Sequence, residues 1–206
     1  MIYLDKEKTK PVDIKPDKYG VYRLMGDNSY YVFEYIKIVA GDNVTIHSYN
    51  GSEIHAWNNS IVYAKGYTSV DAHDNAIVYA FNNSGVDAYD NSVVYAFNNS
   101  GVDAYGISKV WAYDNSMVRA YDNSEVYVND KSELEAYANS KVTAYDNSKI
   151  YSYDYSKVEA YDYSKVTAYG NSIVKSYDNS EVYQPYDNSE VYQRNFSKII
   201  NARGKK

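Results

Sequence analysis

The chain has 206 residues, 27 acidic against 21 basic side chains, a formal charge of -6, three histidines and no cysteine. This excludes a disulfide framework, a thiolate metal site and a cysteine nucleophile, and leaves little material for histidine chemistry. The acidic balance argues against a protein that coats nucleic acid or anionic membranes.

In chain order, the start MIYLDKEKTK lacks the apolar core of a signal peptide. No run approaches the ~18 apolar residues of a membrane span. The expectation is a soluble, cytoplasmic protein without a membrane partner. Residues 1–35 follow no repeat, but KTKPVDIKPDKYGVYRL and SYYVFEY carry bulky residues suited to an N-terminal capping segment. From residue 36 to 200 the chain reads in eights as Ala-Tyr-Asp-Asn-Ser-x-Val-x. Ala112-Tyr113-Asp114-Asn115-Ser116-Met117-Val118 is a clear copy. Its Val column runs from Ile38 through Val62 to Val182, then resumes at Val191 and Ile199 after one residue inserted near Pro185. Every member is aliphatic, which marks a core column. Residues 201–206 form a basic tail, a charged end that discourages further stacking.

Apolar residues eight apart leave one face of a helix, whereas Ser, Val and Ala within each octad alternate with period two, as in a strand buried on one side. Asp-Asn after each Tyr supplies turn chemistry. Each octad therefore predicts about six strand residues and a two-residue corner. The coil length follows from IVYAFNNSGVDAY at 77–89, which recurs as VVYAFNNSGVDAY at 93–105. A 16-residue coil stacks Tyr79, Tyr95 and Trp111 as like on like, whereas a 24-residue triangular coil sets Tyr over Asp. The predicted fold is an all-β parallel β-solenoid, or β-helix, of about ten 16-residue coils with two octads each. At about 4.8 Å per coil it is a rod about 50 Å long. Ser, Val and Ala fill a thin interior, and stacked Asn83, Asn99 and Asn115 are expected to form amide ladders at the corners. Tyr155 and Tyr163, which replace the corner Asn, suggest a more open corner.

The octad resembles the repeats of bacterial ice-nucleation proteins, which also use eight-residue units, two per coil, with tyrosine ladders. The shared elements are Ala, Tyr, Asn for Gly, and Ser. The resemblance implies the fold. The family's ice-binding faces carry Thr-x-Thr, whereas Thr143 and Thr167 stand singly here, so ice binding is the least favoured function. A looser analogy of shape and charge links the chain to pentapeptide-repeat proteins that mimic DNA, although their motif is absent.

Catalytic, cofactor and metal sites are not expected. His47, His55 and His73 point outward without ligand spacing, with His47 on the face opposite His55. Asp114, Asp130, Asp146, Asp162 and Asp178 share one corner; Asp74, Asp90, Asp122 and Asp154 share the other. Turn chemistry accounts for them better than calcium, whose glycine-rich loops are missing. Tyr145, Tyr161 and Tyr177 alternate with Lys141, Lys157 and Lys175, a pattern shared with single-strand binders. The neighbouring aspartates favour a solvated charge pattern instead, so direct nucleic-acid binding is not expected.

One feature separates the two faces. Ile61, Tyr63, Ile77, Tyr79, Phe81, Val93, Tyr95, Phe97, Trp111 and Tyr113 share an outward apolar face, with Tyr127 beyond them. The other face carries Glu53, Ser69, Asp71, Gly85, Asp87, Gly101, Asp103 and Arg119. Asp71, Asp87 and Asp103, with Asp74 and Asp90, give it an acidic surface. An outward apolar face marks an interface, predicted to be a homodimer contact, unless residues 1–35 cover it. The expected function is a non-enzymatic protein-binding solenoid with a macromolecular target. Its most concrete form is a phage or mobile-element inhibitor whose acidic tyrosine-rich rod imitates about 15 base pairs at 3.4 Å each. The alternative is a structural fibre, adhesion or spacer element.

Overall fold

The computed structural model describes residues 2–4, 6–184 and 187–201. Pro185 and the basic residues 202–206 lie outside the described residues. All regular structure is β, and the chain makes about eleven turns as a parallel solenoid. It divides into two compact units, Met1–Val102 and Asp103–Lys206.

The first unit holds β1 (Ile2–Tyr3), β2 (Val21–Leu24), β3 (Ser29–Val32), β4 (Lys37–Ala40), β5 (Thr45–Ser48) and β6 (Glu53–Ala56). It continues with β7 (Ile61–Lys65), β8 (Ser69–Ala72), β9 (Ile77–Phe81), β10 (Gly85–Ala88) and β11 (Val93–Ala96), and β12 (Gly101–Ala104) contains the division. Odd strands pair as β1-β3-β5-β7-β9-β11 and even strands as β2-β4-β6-β8-β10. The second unit holds β13 (Lys109–Ala112), β14 (Met117–Ala120), β15 (Glu125–Val128), β16 (Glu133–Ala136), β17 (Lys141–Ala144) and β18 (Lys149–Ser152). After these come β19 (Lys157–Ala160), β20 (Lys165–Ala168), β21 (Ile173–Ser176), β22 (Glu181–Gln184), β23 (Glu190–Gln193) and β24 (Lys198–Asn201), again sorted into an odd and an even sheet.

The register is sixteen residues, not twenty-four: Val94 lies opposite Val78 and Tyr95 opposite Tyr79. It steps to seventeen at β21 and β23, where Val174 meets Val191, so the inserted residue is absorbed without loss of pairing. The turn count exceeds the octad estimate because the same register already includes β2 and β3. Tyr22 lies opposite Ile38, and Tyr30 opposite Ile46. Within residues 1–35, β1 adds an antiparallel edge to β3, setting Ile2 opposite Val32. The N–H of Val12 donates to the Ile2 carbonyl at 2.9 Å. The chain start therefore lies along β3, where antiparallel pairing ends the run of parallel strands.

Most strands are four residues long, with five in β7 and β9, shorter than the six expected, and most corners take four residues. The cause is the turn itself. In Tyr-Asp-Asn-Ser the Ser N–H donates back to the Tyr carbonyl, as from Ser92 to Tyr89 at 3.0 Å. Asp takes a positive φ, 57° at Asp90 and 55° at Asp146. Asp and Asn enter this left-handed region more readily than other residues with a Cβ. Phe81-Asn82-Asn83-Ser84 places both central residues there.

Val, Ala and Ser columns are buried as expected, and the interior is thin, its largest side chains being residues such as Ile38, Ile46, Leu134 and Ile150. Many buried serine hydroxyls close their own turn. Ser148 Oγ donates to the Tyr145 carbonyl at 2.7 Å, while the equally buried Ser132 Oγ has no partner among the described residues. Because an unpaired buried hydroxyl costs about 1–3 kcal/mol and a made bond contributes about 1, the two serines should respond oppositely to truncation. Ser148→Ala is expected to lose about 1 kcal/mol in urea denaturation, and Ser132→Ala to be neutral or stabilising.

Candidate protein interaction surface

In the first unit the odd sheet carries a column of rings. Tyr31, His47, Tyr63, Tyr79 and Tyr95 stack with centroids 4.5, 4.7, 4.9 and 5.0 Å apart and planes within 9°. The strand spacing of about 4.8 Å exceeds ring contact of about 3.5 Å, so the rings tilt and stack with an offset. Beside this column Ile61, Ile77 and Val93 lie in register. Phe81, the last residue of β9, and Phe97, just past β11, stack at 5.0 Å at the edge of the sheet face. All these side chains are half-buried, neither covered nor fully open. The cation of Lys65 lies 5.1 Å from the Tyr49 ring and 5.8 Å from the Phe81 ring, on the rim of the patch. Trp111 and Tyr113 belong to the second unit, where Trp111 stacks on Tyr127 at 5.2 Å and Tyr113 stands at a corner.

From β6 to β10 the even sheet of the first unit carries no large apolar residue outside. Asp71 lies opposite Asp87, and His55 Nδ1 is 2.9 Å from Asp71 Oδ2. Glu53 also holds Lys37 at 2.8 Å. In the second unit Arg119 donates both Nε and Nη2 to Asp103, each at 2.7 Å, a bidentate geometry that fixes both side chains. Some expectations change here. His47 and His73 are rungs of ring stacks rather than isolated surface residues, His73 lying between Trp57 at 4.0 Å and Tyr89 at 4.8 Å. Burial, and then the nearby Lys65 cation, lower the His47 pKa, so this rung stays neutral at pH 7.

The Asp columns are also more than turn formers. The Asp130 carboxylate accepts the Asp114 backbone N–H at 3.1 Å, and Asp146 accepts that of Asp130 at 3.2 Å. On the other corner Asp90 accepts from Asp74 at 3.3 Å, and Asp74 from Asn58 at 3.2 Å. Each carboxylate thus caps the turn sixteen residues before it. Asn83, Asn99 and Asn115 are exposed, and amide-to-amide bonds between turns occur at other corner asparagines, from Asn59 to Asn43 and from Asn188 to Asn171, each at 3.4 Å. Tyr155 and Tyr163 leave the corner unopened, since their N–H groups make the same bonds, to Ala138 and Asp146 at 3.0 and 2.9 Å.

Sequence reasoning missed a second pairing, which has a signal in the motif Glu-x-Tyr. Period two sets both side chains on the outward side. The Tyr127, Tyr137 and Tyr183 hydroxyls donate to Glu125, Glu135 and Glu181 at 2.8, 3.0 and 3.0 Å. The lysines expected to alternate with tyrosines divide: Lys175 holds Glu159 at 2.9 Å, while Lys141 and Lys157 lie opposite one another, both exposed. Among the described residues no three His, Asp or Glu side chains group as metal ligands, and no helix is long and apolar enough to cross a membrane. These features define a repeat protein of the parallel β-solenoid class. No family model, curated protein or solved structure matches the chain.

Burial, followed by the interaction with a glutamate, pushes the phenols of Tyr137 and Tyr161 up to about 12. Between pH 10 and 12 the folded protein therefore keeps protons that the unfolded chain releases, and stability falls as pH rises. This contribution is complete below pH 10. Denaturation midpoints should drop across that window, and spectrophotometric titration should show Tyr137→Phe lacking one late-ionising phenol.

Proposed function

We propose that this protein is a non-catalytic binding module that acts through the apolar odd-sheet face of its first unit, with a second copy of the chain as partner. The observation that carries the reading is the contrast between Ile61, Tyr63, Ile77, Tyr79, Val93 and Tyr95 on one sheet and the polar His55, Asp71 and Asp87 on the other. A sheet face in water ordinarily carries polar residues. Three rungs of about 4.8 Å and a width of about five residues give an apolar patch of about 240 Å², which the Tyr31 and His47 rungs extend. With them it reaches the size of the largest apolar patches of typical monomers, which are often functional. It is less than half of a standard interface per partner, so the patch forms the core of a contact and the rim completes it. A two-fold axis suits a flat face that can meet itself.

The acidic form of the reading, an inhibitor imitating nucleic acid, has less support. Asp74, Asp90, Asp130 and Asp146 already accept backbone hydrogen bonds, and Asp103 is held by Arg119. The likeness to ice-nucleation repeats agrees with two octads per turn and stacked tyrosines. We do not extend it to ice binding, because Thr143 lies on an odd strand and Thr167 on an even one, so no threonine column forms. A structural spacer remains the second reading, favoured by the in-register ring stacks that stiffen each unit.

Sedimentation and light scattering should show mass rising with concentration. Replacing Tyr79 and Tyr95 by Asp puts two charges on the contact at several kcal/mol if buried unpaired, while leaving inward Val78 and Val94 in place. The double variant should stay folded by circular dichroism and become monomeric. A wild type monomeric at every concentration would refute self-association and leave the face to a foreign protein.

A further inference from the structure

The second unit carries a ring stack as long as that on the odd sheet of the first, but made of tyrosine throughout and set at a corner rather than on a sheet face. Tyr105, Tyr121, Tyr137, Tyr153 and Tyr169 follow one another with centroids 5.0, 5.2, 4.9 and 4.9 Å apart and planes within 8°. Across the unit, Tyr145, Tyr161 and Tyr177 stack at 5.3 and 4.7 Å. All are half-buried, so each ring keeps an edge toward solvent where a small oxidant can reach it. Every neighbouring pair is separated by sixteen residues of chain.

Two of these rungs have a built proton acceptor. The Tyr137 hydroxyl donates to Glu135 Oε2 at 3.0 Å and that of Tyr161 to Glu159 Oε2 at 3.3 Å. A phenol with a raised pKa is fully protonated at neutral pH, so removing an electron from it requires that a proton leave too. A carboxylate already on the hydroxyl takes that proton without prior rearrangement. The rung above or below then holds the partner ring in contact. No diffusion step is needed for two oxidised rings to meet.

We propose that the tyrosine stacks of the second unit are sites of oxidative cross-linking, in which a peroxide-driven one-electron oxidant joins rings sixteen residues apart as dityrosine. The step balances as two phenols and one hydrogen peroxide giving one biaryl and two waters. Each phenol loses one electron and its hydroxyl proton, passed at Tyr137 to Glu135. The two radicals then form one carbon–carbon bond between ring positions ortho to oxygen, and the displaced ring protons return each oxygen to a hydroxyl. The product staples one solenoid turn to the next across a corner, adding a covalent bond to inter-turn hydrogen bonds such as Tyr137 N–H to the Ala120 carbonyl at 2.8 Å.

The test uses the purified full chain, dilute, with hydrogen peroxide and a haem peroxidase, followed by dityrosine fluorescence and mass spectrometry of digested peptides. The expected cross-linked peptides join Tyr137 to Tyr121 or Tyr153, Tyr153 to Tyr169, and Tyr161 to Tyr177, within one molecule and independent of protein concentration. Tyr137→Phe keeps the stacked ring and loses both products containing residue 137, while the Tyr153–Tyr169 product persists. Glu135→Gln keeps an acceptor for the hydroxyl but cannot take its proton, and lowers the yield at residue 137 without changing circular dichroism. Cross-links that show no preference for a spacing of sixteen, or that form only between molecules and scale with concentration, would overturn the proposal. So would an undiminished yield at Tyr137 in the glutamine variant.

Discussion

In-register parallel pairing at sixteen residues is the constraint on which everything else rests. It places each side chain over its counterpart at about 4.8 Å, so every column is a row of neighbours. Aromatic columns gain from this, since offset stacking adds about 0.5–1.5 kcal/mol per pair beyond burial. Charged columns lose, because two like charges at that distance repel by about 1 kcal/mol even in water. The chain answers by alternating sign: Lys109 meets Glu125 at 3.6 Å, and Glu133 meets Lys149 at 2.7 Å. Where Lys149 and Lys165 fall opposite each other, each turns to a glutamate on its far side, Glu133 and Glu181.

The corners obey the same constraint through the backbone. A turn that reverses direction in four residues leaves N–H groups that no strand pairs, and these must find acceptors. Asp meets two needs at one position, tolerating positive φ and lending its carboxylate to the turn before it. Ala138 shows which need can be dropped. It holds φ at 54° without a carboxylate, and its own N–H is still capped by Asp154 at 3.2 Å. Gly106 and Gly170 stand at the same place in the repeat and are capped in the same way, by Asp122 and Asp187.

With interior and corners fixed by the repeat, the outward columns are free to vary, and they do so by region. The odd sheet of the first unit carries rings and aliphatics, while that of the second carries Thr143, Glu159 and Lys175 after Tyr127. The apolar column and the all-tyrosine stacks thus stand in separate columns of the repeat. Substitution on one leaves the buried valines of the other unchanged.

The repeat, the buried Ser-Val-Ala columns, the turn role of Asp-Asn and the sixteen-residue period were all legible in the sequence, because each is a local pattern repeated many times. Which residues share a face followed from the period alone, as Tyr79 under Tyr95 shows. The strand length was misjudged because the bond from Ser N–H to the Tyr carbonyl draws both residues out of the strand. The three-dimensional fold alone decided what each outward polar group touches: which turn a carboxylate caps, that His47 and His73 complete ring stacks, and that Tyr137 meets Glu135. Spacing fixes the column in which a side chain stands, but its partner depends on how far and in which direction it leans across a gap of about 4.8 Å, and that is set by packing between turns.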